Sequence, residues 1–461
     1  MFLIGFTNCT KPDKNNVDKV TSLEKIEKSK KIRVLFDFNS TNYFIYRGET
    51  MGYQYELMKI FADHIGVKLD IETCNDIEKS FDYLISNKCD ILAYSLTKTK
   101  ERDTLIDFTI PHSTTRQVLV QKKPVGWKKK SEKWIADSLI RNQLDLAKKE
   151  IYVQKKSSYV TRLKNLSDEI GDSIFVIESD SLEVEELIAL VAKGKIKYTI
   201  SDENVALVNK TYYPNLDVQT AISFPQSLAW GVRQGDDSLK KVINEWLKDF
   251  KKSYRYKAIY NKYFMNSRSA VIQRSEYYSI NSGKISQYDE YIKEYSDIAD
   301  IDWRLLASLI YQESRFMPNV KSWAGAFGLM QLMPSTAARF GANRKSSVAQ
   351  NIKSGVLFIE WLDKRIVNLG IEDKDEKIKF ILASYNAGLG HVLDARRLAE
   401  KYGKDKNIWE NNVDEFILKK SKPKYYNDSV VRYGYCRGHE TYAYVYQIID
   451  RYEHYKNIIV E

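Results

Sequence analysis

One carboxylate stands out by its position. In the stretch LLASLIYQES (residues 305–314), apolar residues recur four apart at Ile301, Leu305 and Leu309, and Leu306 and Ile310 widen the stripe. The next member of that series is Glu313. A helix burying this face would carry the carboxylate at its end, and a desolvated carboxylate keeps its proton to higher pH. A general acid requires that property. The same spacing also fits a glutamate at a frayed helix end, turned to water or paired with Arg315. Spacing alone leaves both open.

A second group able to do chemistry lies far upstream. The stretch SLTKTKER (residues 95–102) leaves an apolar run with hydroxyls at Ser95, Thr97 and Thr99, then a cation at Arg102. A guanidinium holds a carboxylate through two parallel hydrogen bonds, so Arg102 suits the carboxylate of an amino acid or peptide. The alternative is a surface ion pair with Glu101 or Asp103.

The elements that must position these residues differ along the chain. From Ile32 short apolar runs alternate with helical periods: IRVLFD, then YQYELMKIFADHIG closed by Gly66, then KLDIET, IEKSFDYLISNK and CDILAYSL. The alternation continues through EIYVQK, SIFVIES, SLEVEELIALVAKG, KYTISD and SLAWGVR. Strand and helix in turn predict an α/β sheet domain. Near 265 the pattern breaks into a Ser- and Asn-rich stretch ending at Gly283, which reads as a linker. Beyond it amphipathic helical periods dominate.

Residues 30–264 resemble the extracytoplasmic solute-binding proteins of the amino-acid type. The resemblance rests on GYQYELMKIFADHIGVKLDI, DILAYSLTKTKERDTLIDFTIPH and YTISDENVAL. It implies two α/β lobes closing on a ligand, one from about 30–123 and 222–264, the other from about 124–221. It also implies that Arg102 binds a ligand carboxylate with Ser95 and Thr97 nearby. Asp202 would receive the amine, and Ser158 would touch the carboxylate from the second lobe. The ligand would be a small amino acid or muropeptide. Lys156 stands where that family usually has glycine.

Residues 284–461 resemble the soluble-type lytic transglycosylases, a mainly α, lysozyme-like fold. After Glu313-Ser314 come GLMQ (328–331), YNAG (385–388) and ETYAYV (440–445), in family order. The resemblance implies Glu313 as catalytic acid, with Tyr444 approaching it. Ser314, Gln331, Tyr385 and Asn386 would contact peptidoglycan. Gln331 offers donor and acceptor to an acetamido group, whereas Ser314 fits a helix-end serine equally well. Leu329, Leu332 and Met333 read as core.

The chemistry can be tested against the residues. Glycoside cleavage needs an acid for the leaving oxygen and usually a second carboxylate. The 46 residues from Ser314 to Ile359 contain no Asp or Glu. The family resemblance implies a solution with one carboxylate, in which the muramoyl C6 hydroxyl attacks its own C1 and leaves a 1,6-anhydro ring. A non-catalytic cell-wall sensor, a hydrolytic muramidase and a purely nutritional binding protein are the competing readings.

Composition fits this architecture. The 461 residues are 43% hydrophobic and 29% charged, enough for several cores. Net charge is +11, but the lysines are scattered, and the one dense run, KKPVGWKKKSEK (122–133), reads as solvated surface. No nucleic acid is expected as a partner. The five His and four Cys show no metal spacing, so neither metal nor cofactor is expected. Cys74 and Cys89 could pair in an oxidising compartment. The opening MFLIGFTNC, followed by a polar stretch to residue 29, resembles a lipoprotein signal and tether. Lipidation at Cys9, a membrane anchor and a periplasmic location at the outer membrane are the corresponding expectations.

Overall fold

The computed structural model describes residues 21–39, 41–265 and 283–459. Cys9 and the linker segment 266–282 lie outside them.

The first part builds two sheets. In one, the neighbours run Lys68–Thr73, Lys31–Phe36, Ile91–Thr97, Gln226–Arg233 and Ile106–Phe108. The first three are parallel, with Val34 opposite both Ile71 and Ile91, and Gln226–Arg233 closes antiparallel. Parallel strands need crossovers, which Tyr53–His64 and Ile77–Ile85 supply as helices. The first packs on the sheet in a core that includes Phe36, Leu57, Phe61 and Trp230, all at 0% exposure, and the second packs through Phe81 and Leu84 with Leu35 and Leu92.

The second sheet orders Phe175–Ser179, Glu150–Gln154, Tyr198–Asp202, Gln117–Lys122 and Leu216–Ala221. Its core gathers Leu119, Ile151, Val153 and Leu163. The chain thus crosses between sheets at about Arg116 and returns after Ala221. The expected crossing near Lys123 is seven residues too late, because Gln117–Lys122 pairs antiparallel with Tyr198–Asp202 in the second sheet. Cys74 and Cys89 are free thiols rather than a disulfide, each packed at the edge of the first lobe's core.

After residue 283 the described residues form helices and no named strand. The helix Trp303–Ser314 is started by Asp302, whose carboxylate accepts from Arg304 N at 2.8 Å. It stops at Arg315 and Phe316, both in the left-handed region at φ 52° and 59°. Leu305, Leu306, Leu309 and Ile310 are buried against Leu329, Val356, Phe380 and Val445. Leu329 and Leu332 are core, as expected. Met333 is not; it precedes the helix Pro334–Arg339 as its cap and is 43% exposed.

The two parts dock through the hairpin Phe44–Tyr46/Glu49–Met51. Ile45 enters the helical core, and Gly48 O accepts from Tyr455 Oη at 2.7 Å. A Cβ at Gly48 would fall within 2.7 Å of Tyr311, Phe316 and Tyr455, and its φ is 78°. Only glycine fits there. Asn457 adds two further bonds, donating to Ile71 O at 2.7 Å and accepting from Thr73 Oγ1 at 3.0 Å.

Candidate active site

Glu313 sits one residue before the end of its helix, so its backbone is fixed while its side chain leaves the packed stripe. It makes no ion pair with exposed Arg315. Its Oε1 accepts a 2.5 Å hydrogen bond from Tyr444 Oη, on the helix Gly438–Ile458. Burial raises the Glu313 carboxyl to about 7, against the opposing pull of the Tyr444 hydrogen bond. No charged group contributes to that shift. The acid is therefore poised by desolvation and one phenol, and holds its proton over half the time just below neutral pH.

Around it the other motifs meet. Tyr385, on the helix Lys374–Ala387, donates to Met330 O at 2.6 Å, which ties YNAG to GLMQ. Its hydroxyl feels the charge on Glu313, which pushes it up further after burial. Asn386 is exposed, and its Oδ1 accepts from Thr441 Oγ1 at 2.8 Å. Gln331 adopts φ 44°, and its Nε2 donates to Val320 O at 3.0 Å and Gly328 O at 2.8 Å. Both amide protons are thus spent on holding the loop, and the carbonyl Oε1 is the part left for a substrate. Gly328 packs on Asn351, where a Cβ would come within 2.6 Å, and Asn351 Oδ1 accepts from Met330 N at 2.9 Å.

Ser314 departs from expectation as a substrate contact. It is 3% exposed, and its Oγ donates back to Ile310 O at 3.2 Å. That i to i−4 bond belongs to the helix end and turns the hydroxyl away from the acid.

The second constellation lines a cleft of about 830 Å3 between the two lobes. Ser95, Thr97, Arg102, Ser158 and Asp202 all face it. Arg102 donates to Thr97 O at 3.2 Å and has no ion pair among the described residues, while Asp103 pairs with Lys98 at 2.9 Å. Burial lowers its pKa, against the charges of Tyr159, Glu101 and Asp202. Burial also raises the Asp202 carboxyl to about 7, with the Arg102 charge pulling it down. Ser95 accepts from Gln54 Nε2 at 2.9 Å, Thr97 lies 3.4 Å from Gln226 Oε1, and Ser158 accepts from Gln117 Nε2 at 3.3 Å.

Sequence reasoning missed Asp37, Asn42 and Glu183 in this cleft, and Thr441 and Asn351 behind the other. Asp37 directly follows the strand Lys31–Phe36, and ligands of open α/β sheets bind beyond such carboxyl ends. That signal was available. Among the described residues no cluster of three or more His, Cys, Asp or Glu could hold a metal, and no helix is long and apolar enough to cross a membrane.

Comparison with known proteins agrees with both halves. Residues 32–266 match the bacterial extracellular solute-binding proteins, family 3, and residues 290–408 match the transglycosylase SLT domain. A membrane-bound lytic murein transglycosylase F of Desulfosudis oleivorans is 33% identical, over 94% of this chain and 91% of its own. Proteins of the same name from Pseudomonas fluorescens and Photobacterium profundum are 31% and 33% identical, over 95% and 96% of this chain and 87% and 82% of theirs. With the lone buried acid and the two-lobed cleft on one polypeptide, the chain belongs to the membrane-bound lytic murein transglycosylase F family and is a peptidoglycan lytic transglycosylase.

Proposed function

We propose that Glu313 is the single acid–base of a non-hydrolytic cleavage between N-acetylmuramic acid and N-acetylglucosamine. Its protonated carboxyl donates to the glycosidic oxygen as the C1–O bond breaks. The muramoyl C6 hydroxyl then closes on C1 and returns its proton to Glu313. The acid is regenerated, water is not consumed, and the product ends in a 1,6-anhydro ring. The observation that carries this reading is a desolvated Glu313 bonded to Tyr444, with no second carboxylate perturbing it. A two-carboxylate hydrolase would place its partner acid within about 5–9.5 Å, where charge repulsion would add to the shift. Tyr385, Asn386 and the Gln331 carbonyl are the sugar contacts. Mass spectrometry of digested peptidoglycan decides the chemistry: anhydro ends are expected, and reducing ends one water heavier would establish a muramidase instead.

In the first part, Arg102 and Asp202 are read as the clamps for the carboxylate and amine of an amino acid or muropeptide. Ligand there is expected to change the rate of cleavage. The supporting observation is that Gly48 and Ile45 seat the first lobe against Tyr311 and Phe316, which flank Glu313 in sequence, while Asn457 bonds Ile71 and Thr73 of that lobe. Coupling of this kind is typically worth about 5- to 150-fold. Equal turnover with and without saturating ligand would reduce the first part to a tether. Location in the periplasm at the outer membrane, anchored by a lipid on Cys9, completes the reading, and labelling with a fatty-acid probe tests it.

A further inference from the structure

The cleft contradicts the charge of the chain around it. The protein carries +11 overall, yet Asp37, Asp202, Glu183, Glu185 and Glu186 line this cavity against only Arg102 and Lys193. An α-amino acid clamped by Arg102 and Asp202 brings one charge of each sign and leaves that excess in place.

Two of the remaining acids line the cleft from opposite lobes. Asp37 follows the strand Lys31–Phe36 of the first lobe and accepts from the neutral amides of Asn39 Nδ2 at 2.5 Å and Asn42 Nδ2 at 2.8 and 2.9 Å. Glu183 caps the helix Val184–Lys193 of the second lobe and accepts from Gln154 Nε2 at 2.8 Å. The two are close enough for the Glu183 charge to push the Asp37 carboxyl up, adding to burial, and no cation opposes them. Lys193 lies at the other end of the Glu183 helix, roughly 15 Å along its axis. Asp202 is likewise desolvated and has no hydrogen-bond partner for its carboxylate among the described residues. Two ionised carboxylates presented to one cleft from opposite lobes repel each other, and a cation entering between them removes that cost.

We propose that the cleft selects an amino acid, or a peptide end, that carries a second and distal cationic nitrogen, held between Asp37 and Glu183. This rests on the reading of Arg102 and Asp202 as clamps for the α-carboxylate and α-amine. The distal ammonium or guanidinium would donate to both carboxylates at once and tie the lobes together.

Calorimetry on the full chain tests it with L-lysine, L-ornithine and L-arginine against L-norleucine, which keeps the side-chain length of lysine without the charge. The cationic ligands are expected to bind about 10- to 100-fold more tightly than norleucine, the range of a charge-assisted hydrogen bond gained. Asp37→Asn should bring that ratio towards one. Glu183→Gln, at an exposed position, should lower it and serves if Asp37→Asn does not fold. Norleucine binding as tightly as lysine, or a ratio untouched in both variants, would overturn the distal-cation site while leaving the clamp standing. If none of these ligands binds, or Arg102→Ala binds them as well as wild type, the clamp reading fails and this one falls with it.

Discussion

Replacing Tyr444 with phenylalanine isolates what poises the acid. The Tyr444 hydroxyl donates to Glu313 Oε1 at 2.5 Å, and of the two influences on that carboxyl it is the one that lowers the pKa. Removing it leaves burial unopposed, so the value must climb from about 7. A hydrogen bond to a charged group is worth roughly 1.5–3 kcal/mol and one to a neutral group roughly 0.5–1.5 kcal/mol. The difference between the two protonation states is then about 1–1.5 kcal/mol, or about one pKa unit. In the proposed mechanism cleavage starts from protonated Glu313, so activity is expected to fall as pH rises through that pKa. The descending limb should therefore move upward by about one unit in Tyr444→Phe, whatever happens to the maximal rate. Initial rates of soluble-fragment release from insoluble peptidoglycan between pH 5 and 9 measure it. Tyr385→Phe is the control: its hydroxyl bonds Met330 O rather than the acid, so its limb should stay near the wild-type position. A limb that stays fixed in Tyr444→Phe, or moves to lower pH, refutes the assignment of Glu313 as the titrating acid.

Glu313→Gln should lose about 10²–10⁴-fold or more in turnover while still binding glycan, because the amide cannot donate the proton. The same variant should gain stability with pH. A glutamate that ionises at 4.5 unfolded and at about 7 folded destabilises the native state progressively between those values. Wild type and variant should respond alike below pH 4.5, and thermal melts above pH 7 should favour the variant by up to about 3 kcal/mol. Gly48→Ala should cost roughly 1–3 kcal/mol, since its Cβ overpacks Tyr311, Phe316 and Tyr455 at a positive φ. Limited proteolysis of that variant should release the two halves sooner than in wild type, and unchanged melting would remove the hairpin from the docking account.

Glu313 was legible because an apolar series at intervals of four is a local property, and the residue that breaks it is visible on the page. Its partner was less so: Tyr444 lies 131 residues away, and only the tertiary packing of two helices brings the phenol to the carboxylate. The alternating strands and helices of the first part were equally readable, since each is set by its own pattern. Which sheet a strand joins is not local. Gln117–Lys122 has the same alternation in either lobe, and its pairing with Tyr198–Asp202 moved the crossing from Lys123 to about Arg116. The internal bonds of Ser314 and the Gln331 amide were not legible for a related reason. Both have backbone carbonyls within reach, at Ile310 for buried Ser314 and at Val320 and Gly328 for half-buried Gln331, and only the fold brings the last pair of carbonyls to the amide.

Asp37 and Glu183 show the same limit from the other side. Neither sits in a motif, and each alone is an ordinary acid at the end of an element. Their chemistry arises only when two lobes, built from segments separated in sequence, present them to one cavity. The helix Gly438–Ile458 joins that cavity's scaffold to Glu313. Tyr444 near its start bonds Glu313, and ten residues on, His454 Nδ1 lies 2.8 Å from Tyr43 Oη, next to the Asn42 that holds Asp37. One helix, with about 15 Å between these contacts, thus touches both the proposed proton donor and the first lobe. A ligand changes turnover through it only by its differential affinity for two positions of that lobe, so lobe closure and the Tyr444–Glu313 bond must move together for any coupling to be felt.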